Sequence, residues 1–174
     1  MELSFIKENI LKQYHFNLDF AVKSVEDVPQ ELMCIVPFKG LENHPAFTLG
    51  HLVTASAMTV DDLGGKSNIP ERWNDLFVRN GPGDPRMPNE DSTLYPLKKT
   101  LLEELRRQHQ QVETALKNST DNFLLSPMKW RFNKYFPTTL DLVTFMCISH
   151  ESMHLSQLSA WRRAMSLPSA LAAL

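Results

Sequence analysis

The sequence predicts an all-α protein, a four-helix bundle with long crossover connections, formed as a single domain by residues 1–174. Three observations lead to this prediction. Apolar residues recur at helical spacing along four long segments. No stretch shows the alternating pattern of a convincing strand. The composition, 43% apolar and 22% charged over 174 residues, is typical of a folded domain with a core.

The first two helices are predicted from an apolar stripe and from signals at their ends. The first helix spans residues 3–25. The second begins near Asn43, which is suited to cap a helix N-terminus, and Pro45 follows in the first turn, where its missing N–H costs nothing. This helix continues until Gly64 and Gly65 end it.

The last two long helices are predicted in the same way. The third spans 97–116 and carries a leucine stripe. The fourth spans 138–165, and Thr138 opens it in the manner of a cap followed by an acidic first turn. No glycine follows Gly83, so we expect nothing to interrupt either helix.

Two long connections separate these helices. Residues 66–96 form an irregular crossover with a short helical piece at 71–77, because Pro70, Pro82, Gly83, Pro85 and other helix breakers crowd this stretch. Loops of this length in a compact domain tend to be functional or to run the length of a bundle. The aromatic residues in 119–137 predict a packed cover over the bundle.

Charge and cysteine content exclude several classes of protein. The net charge is −2 and no Lys or Arg run is long, so a nucleic-acid partner is not expected. No apolar run approaches the ~20 residues that span a bilayer, so no membrane partner is expected. Cys34 and Cys147 form no CxxC pattern, and the N-terminus does not resemble a signal peptide. We therefore expect a soluble cytoplasmic protein.

The segment from His150 to His154 is the most informative part of the sequence. Histidines at i and i+4 of a helix lie about 40° apart around its axis and ~6 Å along it, so both imidazoles can face one metal ion. The predicted inward stripe of this helix includes both histidines and Met153. Alternatively, two buried histidines satisfy hydrogen bonds in the core, as buried polar groups generally do.

A third ligand must come from earlier in the chain, because no Asp, Glu or His follows His154. The best candidate is His51, in the middle of the second helix beside Gly50, which allows close approach of another group. His44 lies ~10 Å further along the axis and lines the same cavity or occupies the helix start. The polar surroundings of His109 predict a solvated surface position.

Glu151 and Gln157 are further candidates. The pentapeptide at 150–154 spells HExxH, in which the glutamate of zinc peptidases is the general base, so Glu151 is the candidate catalytic residue. Its position next to a ligand equally allows a structural role, in which it pairs with a neighbouring helix. Gln157, one turn beyond His154, is predicted to line the pocket or to orient a ligand.

Two segments resemble signatures of the DinB-like (DinB/YfiT) superfamily. Residues 43–52 are similar to its "Nh..W.lgHL" motif. Residues 149–158, followed by the arginine pair 162–163, are similar to its "HesxHxgQl…rR" motif. The resemblance extends along nearly the whole chain, although only these two segments are specific. The chain departs from the pattern at Phe47, where the family often has Trp, and at Ser156, where it has Gly.

The resemblance implies an up-down-down-up four-helix bundle and a metal site on three histidines, which here are His51, His150 and His154. Phe47, which lies on the same face of the second helix as His51, is a further predicted pocket residue. Members that resemble this chain include thiol-dependent transferases and isomerases that use low-molecular-weight thiols. A role in DNA repair synthesis is not implied.

The leading hypothesis is a metal-dependent transferase or hydrolase that acts on a small molecule, with one divalent transition metal ion (Zn, Ni, Fe or Mn) on three histidines. Three protein ligands leave an open position, which is the catalytic pattern. The alternatives are a non-catalytic metal- or ligand-binding module, an ion that only braces the bundle, and an HExxH-type peptidase. A homodimer is compatible with a helical bundle of this kind.

Overall fold

The computed structural model describes residues 3–79, 81, 84 and 86–174, and over this range the protein is all-helical, with 65% helix and no strand. The helices up to residue 124 are α1 (Leu3–Glu26), α2 (Pro45–Asp62), α3 (Arg72–Phe77), α4 (Lys98–Asn118) and α5 (Asp121–Leu124). The last helical stretch consists of α6 (Thr139–Thr144), a π segment (Phe145–His150) and α7 (Glu151–Ala164). Pro82, Gly83 and Pro85 of the predicted crossover lie outside the described residues, as do Met1 and Glu2.

The start of α2 differs from the prediction in its capping residue. The N-cap is His44, whose Nδ1 accepts a hydrogen bond from the backbone N–H of Phe47 at 3.2 Å. Asn43, the predicted cap, instead donates its side-chain N–H to Gln157 on α7 at 2.7 Å. Pro45 occupies the first helical position as predicted, because its missing N–H needs no partner there.

The final helical stretch begins as predicted but is not regular. Thr138 forms a capping box with Asp141, so that each side chain bonds the other residue's backbone N–H. The expectation of an uninterrupted helix is wrong at Phe145–His150, where the chain forms a π segment. A π turn holds about one more residue than an α turn, and such turns are rare and frequent at functional sites.

Each of the four long helices contacts two of the others: α1 contacts α4 and α7, and α2 also contacts α4 and α7. Lys7, near the start of α1, donates to the carbonyl of Ser119 at the end of α4, and Lys98, at the start of α4, donates to that of Val28 just after α1. α1 and α4 are therefore antiparallel. The buried apolar residues form two clusters along these contacts, which contain Leu49 and Val143, respectively.

The arginine pair at the end of α7 has two different environments. Arg162 is buried: it donates to the carbonyls of Ser24 and Pro168 and forms an ion pair with Asp27. Arg163 is exposed. Arg162 thus holds the end of α7 against the end of α1.

The sequence predictions for the connections agree with the structure in part, since Phe123, Tyr135 and Phe136 of the predicted aromatic cover are exposed. The short piece predicted at 71–77 is α3. Aromatic rings of the 119–137 stretch contact the π segment, with Trp130 and Phe132 both packed on Phe145 at centroid distances of 5.5 and 5.4 Å. Among the described residues, no helix combines the length and the apolar character needed to cross a bilayer.

Candidate metal centre

The structure brings together the three histidines that the sequence singles out. One ring nitrogen each of His51, His150 and His154 lies within 4.8 Å of the others. His51 comes from the middle of α2, and the other two come from the end of the π segment and the first turn of α7. The Nε2 atoms of His51 and His150 are 3.3 Å apart, and the ring of His154 lies 4.4 Å from that of His51 between centroids.

The residues present fit a divalent transition metal ion. Two nitrogens bound to one ion at 2.0–2.1 Å with tetrahedral geometry lie about 3.3 Å apart, which is the separation of the His51 and His150 Nε2 atoms. The Nδ1 atoms of His150 and His154 are buried and have no hydrogen-bond partner among the described residues, so hydrogen bonding in the core satisfies these two rings only in part. No Cys, Asp or Glu of the described residues joins the three histidines in this cluster.

His51 is oriented by Phe77, the last residue of α3. Its Nδ1 lies 2.8 Å from the backbone carbonyl of Phe77. Because a carbonyl only accepts, Nδ1 carries the proton and Nε2 presents a lone pair toward His150, the arrangement commonly seen for metal-bound histidines. The close approach predicted at Gly50 is confirmed: a Cβ there would overlap the ring of Phe77.

The surroundings keep all three imidazoles neutral. Burial lowers the pKa of His51 from its ordinary value, and Arg79 acts in the same direction. Burial, with the neighbouring His51, lowers the pKa of His150 to about 4. Burial, with His51 and His150, lowers the pKa of His154 to about 3. Neutral imidazole is the form that binds a metal ion, so the site is ready for one at neutral pH.

The histidines lie at the edge of the buried face of the last helical stretch. The buried positions of α7 are Glu151, Leu155, Leu158, Trp161 and Arg162, a set that does not include Met153 or His154. His150 and His154 are therefore only partly buried, on the flank of α7 that faces α2. Met153, predicted to face inward, is 52% exposed.

Glu151 lies in the core and contacts α4. Its Oε1 is 2.8 Å from Nε2 of His109, and both side chains are only 3% exposed. The ring of His109 stacks on Tyr14 at 3.7 Å. The prediction that His109 is solvated is wrong, although its spacing of four residues from Leu105 could have indicated the buried face of α4. Burial raises the pKa of Glu151, while His109 acts in the opposite direction.

The three predicted pocket residues have distinct environments. His44 is buried, and besides capping α2 it donates from Nε2 to the carbonyl of Asn89 at 3.0 Å, so both of its nitrogens are occupied. Phe47 stacks on His51 with a centroid distance of 5.8 Å and an interplanar angle of 15°. Gln157 accepts from Asn43, which joins α7 to the residue preceding the cap of α2.

Comparison with known proteins identifies the family and the fold of this chain. A family model described as the DinB superfamily matches residues 13–158, a range that contains all three histidines. A search of curated proteins found no match. A crystal structure of a conserved protein from Enterococcus faecalis has the same fold at a TM-score of 0.67, with 14% sequence identity over 94% of this chain and 97% of that one. Because the family match covers most of the chain, the chain belongs to the DinB superfamily, whose members are metal-binding in general.

Proposed function

We propose that this protein holds one divalent transition metal ion, drawn from Zn, Ni, Fe and Mn, on His51, His150 and His154, and that it is a metal-dependent transferase or hydrolase acting on a small molecule. The observation that carries the proposal is the convergence of three neutral histidines whose ring nitrogens lie within 4.8 Å of one another.

The chain's own residues support a site that is open for chemistry. Three protein ligands leave at least one position free, and an ion held this way lowers the pKa of a bound water or thiol. Phe77 holds His51 in the tautomer that ligation needs. Phe47 covers one face of the His51 ring and limits the access of water there. A low-molecular-weight thiol as co-substrate is part of this proposal and rests on the family resemblance.

We further propose the up-down-down-up order for the four long helical stretches, packed as one domain. The antiparallel contacts of α1 with α4 support it. So do the contacts of α1 with the last stretch, since Asn17 donates to the carbonyl of Cys147 and, further along both helices, Arg162 donates to the carbonyl of Ser24. We also propose that the protein is cytoplasmic and forms a homodimer.

A non-catalytic metal-binding module is the second candidate, and one observation favours it. Glu151, the carboxylate nearest to the ligands in sequence, has its Oε1 on His109 in the core. A general base must reach the proton that it abstracts in the site. This engagement weighs against an HExxH-type peptidase, and it favours a role for Glu151 in holding α7 against α4.

Elemental analysis of untagged protein tests the metal site. We expect about one ion per chain in the wild type and a loss in both His51→Ala and His150→Ala. His15→Ala is the matched control, because His15 is exposed and pairs with Glu113 away from the site. Wild-type protein that takes up no ion after addition of Zn, Ni or Mn would refute the proposal.

Screening of the loaded protein then separates the two candidates. Turnover of a small thiol acceptor or ester by wild type, absent in His150→Ala, supports the enzyme. Tight metal binding with no turnover over a broad substrate panel supports the module.

A further inference from the structure

Arg79 stands beside the candidate metal site. Its guanidinium carbon lies 4.3 Å from the centre of the Phe47 ring. That ring in turn stacks on His51, one of the three histidines. The chain thus places a cation, an aromatic ring and a ligand next to one another on the α2 side of the site.

The backbone fixes this position. Arg79 follows two residues after Phe77, whose carbonyl accepts the Nδ1 proton of His51. Two residues of extended chain span at most about 7 Å. The segment that orients the ligand is therefore the same segment that carries Arg79, and the two cannot move independently over long distances.

Arg79 has no carboxylate partner among the described residues, unlike its neighbour Arg86. Arg86 is paired with Asp84 at 2.6 Å. Arg79 donates only from Nη1, to the carbonyls of Leu76 and Val78 at 3.4 and 3.3 Å. These are long, weak contacts. The charge of Asp84 acts on Arg79 and raises its pKa, but no carboxylate of the described residues forms an ion pair with this partly buried guanidinium.

The unused donors of Arg79 have the geometry of an anion site. Its Nε and Nη2 groups make no hydrogen bond within the described part of the chain. These two N–H groups form the edge of guanidinium that binds a carboxylate or a tetrahedral oxyanion with two parallel hydrogen bonds. The guanidinium carbon lies over the ring of Phe47, and this cation–π contact favours the position of Arg79 beside the site.

We propose that Arg79 is a substrate-binding residue and that the small molecule taken by this site carries a carboxylate or tetrahedral oxyanion besides the atom that faces the ion. This inference rests on the proposed metal function. Burial lowers the pKa of Arg79, and the positive charge of Arg86 acts in the same direction, as expected of a cation that an anion would relieve.

Cobalt-loaded protein and a matched series of small thiols test the proposal. The thiolate-to-cobalt absorption band measures binding of mercaptoethanol, which is neutral, of mercaptopropionate and mercaptoethanesulfonate, which carry the two kinds of anion, and of cysteamine, which is cationic. The variants are Arg79→Met, which keeps length without charge, and Arg79→Lys, which keeps charge without the planar edge. Arg163→Met is the control, since Arg163 is exposed at the end of α7.

We expect wild type to prefer at least one anionic thiol over mercaptoethanol by about tenfold, the value of one charged hydrogen bond. The preference should vanish in Arg79→Met, shrink in Arg79→Lys and persist in Arg163→Met. Chelation of cobalt by the carboxylate is the same in all these proteins, so only the change between them reports on Arg79. The relative affinities of the carboxylate and the sulfonate identify the preferred anion.

Three outcomes would overturn the inference. Equal preference in wild type and Arg79→Met shows that the anion does not contact Arg79. Loss of cobalt binding in Arg79→Met shows a role in building the site instead. Absence of the cobalt spectrum in wild type refutes the proposed metal function itself, which distinguishes that failure from the failure of the anion site.

Discussion

The absence of a side chain at Gly50 allows Phe77 to approach α2 and to orient His51. The ring of Phe77 occupies the space that a Cβ would fill, and its carbonyl holds His51. Alanine at this position gains about 1 kcal/mol of helix propensity, but overpacking a filled site costs about 1–3 kcal/mol. The clash outweighs the gain if Phe77 cannot move.

We therefore predict that Gly50→Ala lowers the free energy of unfolding by about 1 kcal/mol and weakens metal binding. Urea denaturation and a zinc titration measure the two effects. Phe77→Leu should relieve part of the clash, so the double variant should be more stable than the sum of the single changes implies. A Gly50→Ala variant that is more stable and binds metal unchanged would contradict the close approach.

His44 makes the stability of the protein depend on pH. Burial lowers its pKa to about 4. Its Nδ1 accepts from Phe47, so the neutral form is required. In the unfolded chain the pKa is about 6.5, and the unfolded state therefore binds more protons between these values. The stability that neutral His44 contributes is present above pH 6.5 and is lost as pH falls toward 4.

From pH 7 to pH 5 this loss amounts to about 2 kcal/mol for His44 alone. His44→Asn keeps a capping oxygen without a titrating group, so its unfolding free energy should fall less over the same interval. Urea denaturation at both pH values measures the difference. The other buried histidines also make the free energy of unfolding of both proteins fall with pH. An equal fall in wild type and His44→Asn would show that His44 does not titrate as its burial implies.

At the scale of elements, the His109–Glu151 pair joins α4 to the last helical stretch. Its counterpart on the surface is His15–Glu113, between α1 and α4. The two pairs have nearly equal distances, 2.8 and 2.9 Å, but the first is 3% exposed on both sides and the second is 51% and 26% exposed. Because the distances are alike, a difference between the two pairs in their contribution to the free energy of unfolding should come from burial.

His109→Ala is predicted to lower the free energy of unfolding by about 3–5 kcal/mol, because it leaves Glu151 buried without a partner. His15→Ala, at the exposed pair, should change it by less than about 1 kcal/mol. Urea denaturation of both variants at pH 7 provides the comparison. Similar effects of the two substitutions would show that the buried pair does not hold α4 against α7.

At the scale of the whole molecule, the candidate ion connects two long helices. His51 lies on α2, and the other two histidines belong to the π segment and α7. An ion that binds only the folded chain raises its stability by RT ln(1 + [L]/Kd), about 2.7 kcal/mol at a hundredfold excess over Kd.

Zinc should accordingly raise the melting temperature of the wild type in proportion to the logarithm of its concentration. The shift should disappear in His51→Ala. It should persist in His15→Ala, because His15 is exposed and pairs with Glu113 outside the cluster. Differential scanning calorimetry of the metal-stripped protein measures it. An equal shift in all three proteins would indicate that zinc binds outside the cluster.

The sequence by itself determined the elements whose signals lie within one or two turns of chain. The capping box of Thr138, the proline at the start of α2 and the i, i+4 spacing of His150 and His154 are local features, and the structure contains each of them. The sequence also identified His51, because it stands in the middle of the second helix beside Gly50, which allows close approach of another group.

Only the tertiary structure decided how those elements meet. Glu151 lies in the core against His109, while Met153, which was predicted to face inward, is exposed. Arg79 reaches Phe47 only because the chain after α3 packs against α2 at Gly50. The physical reason is that the burial of a polar side chain and the path of an irregular segment depend on partners distant in sequence, and no local spacing encodes those contacts.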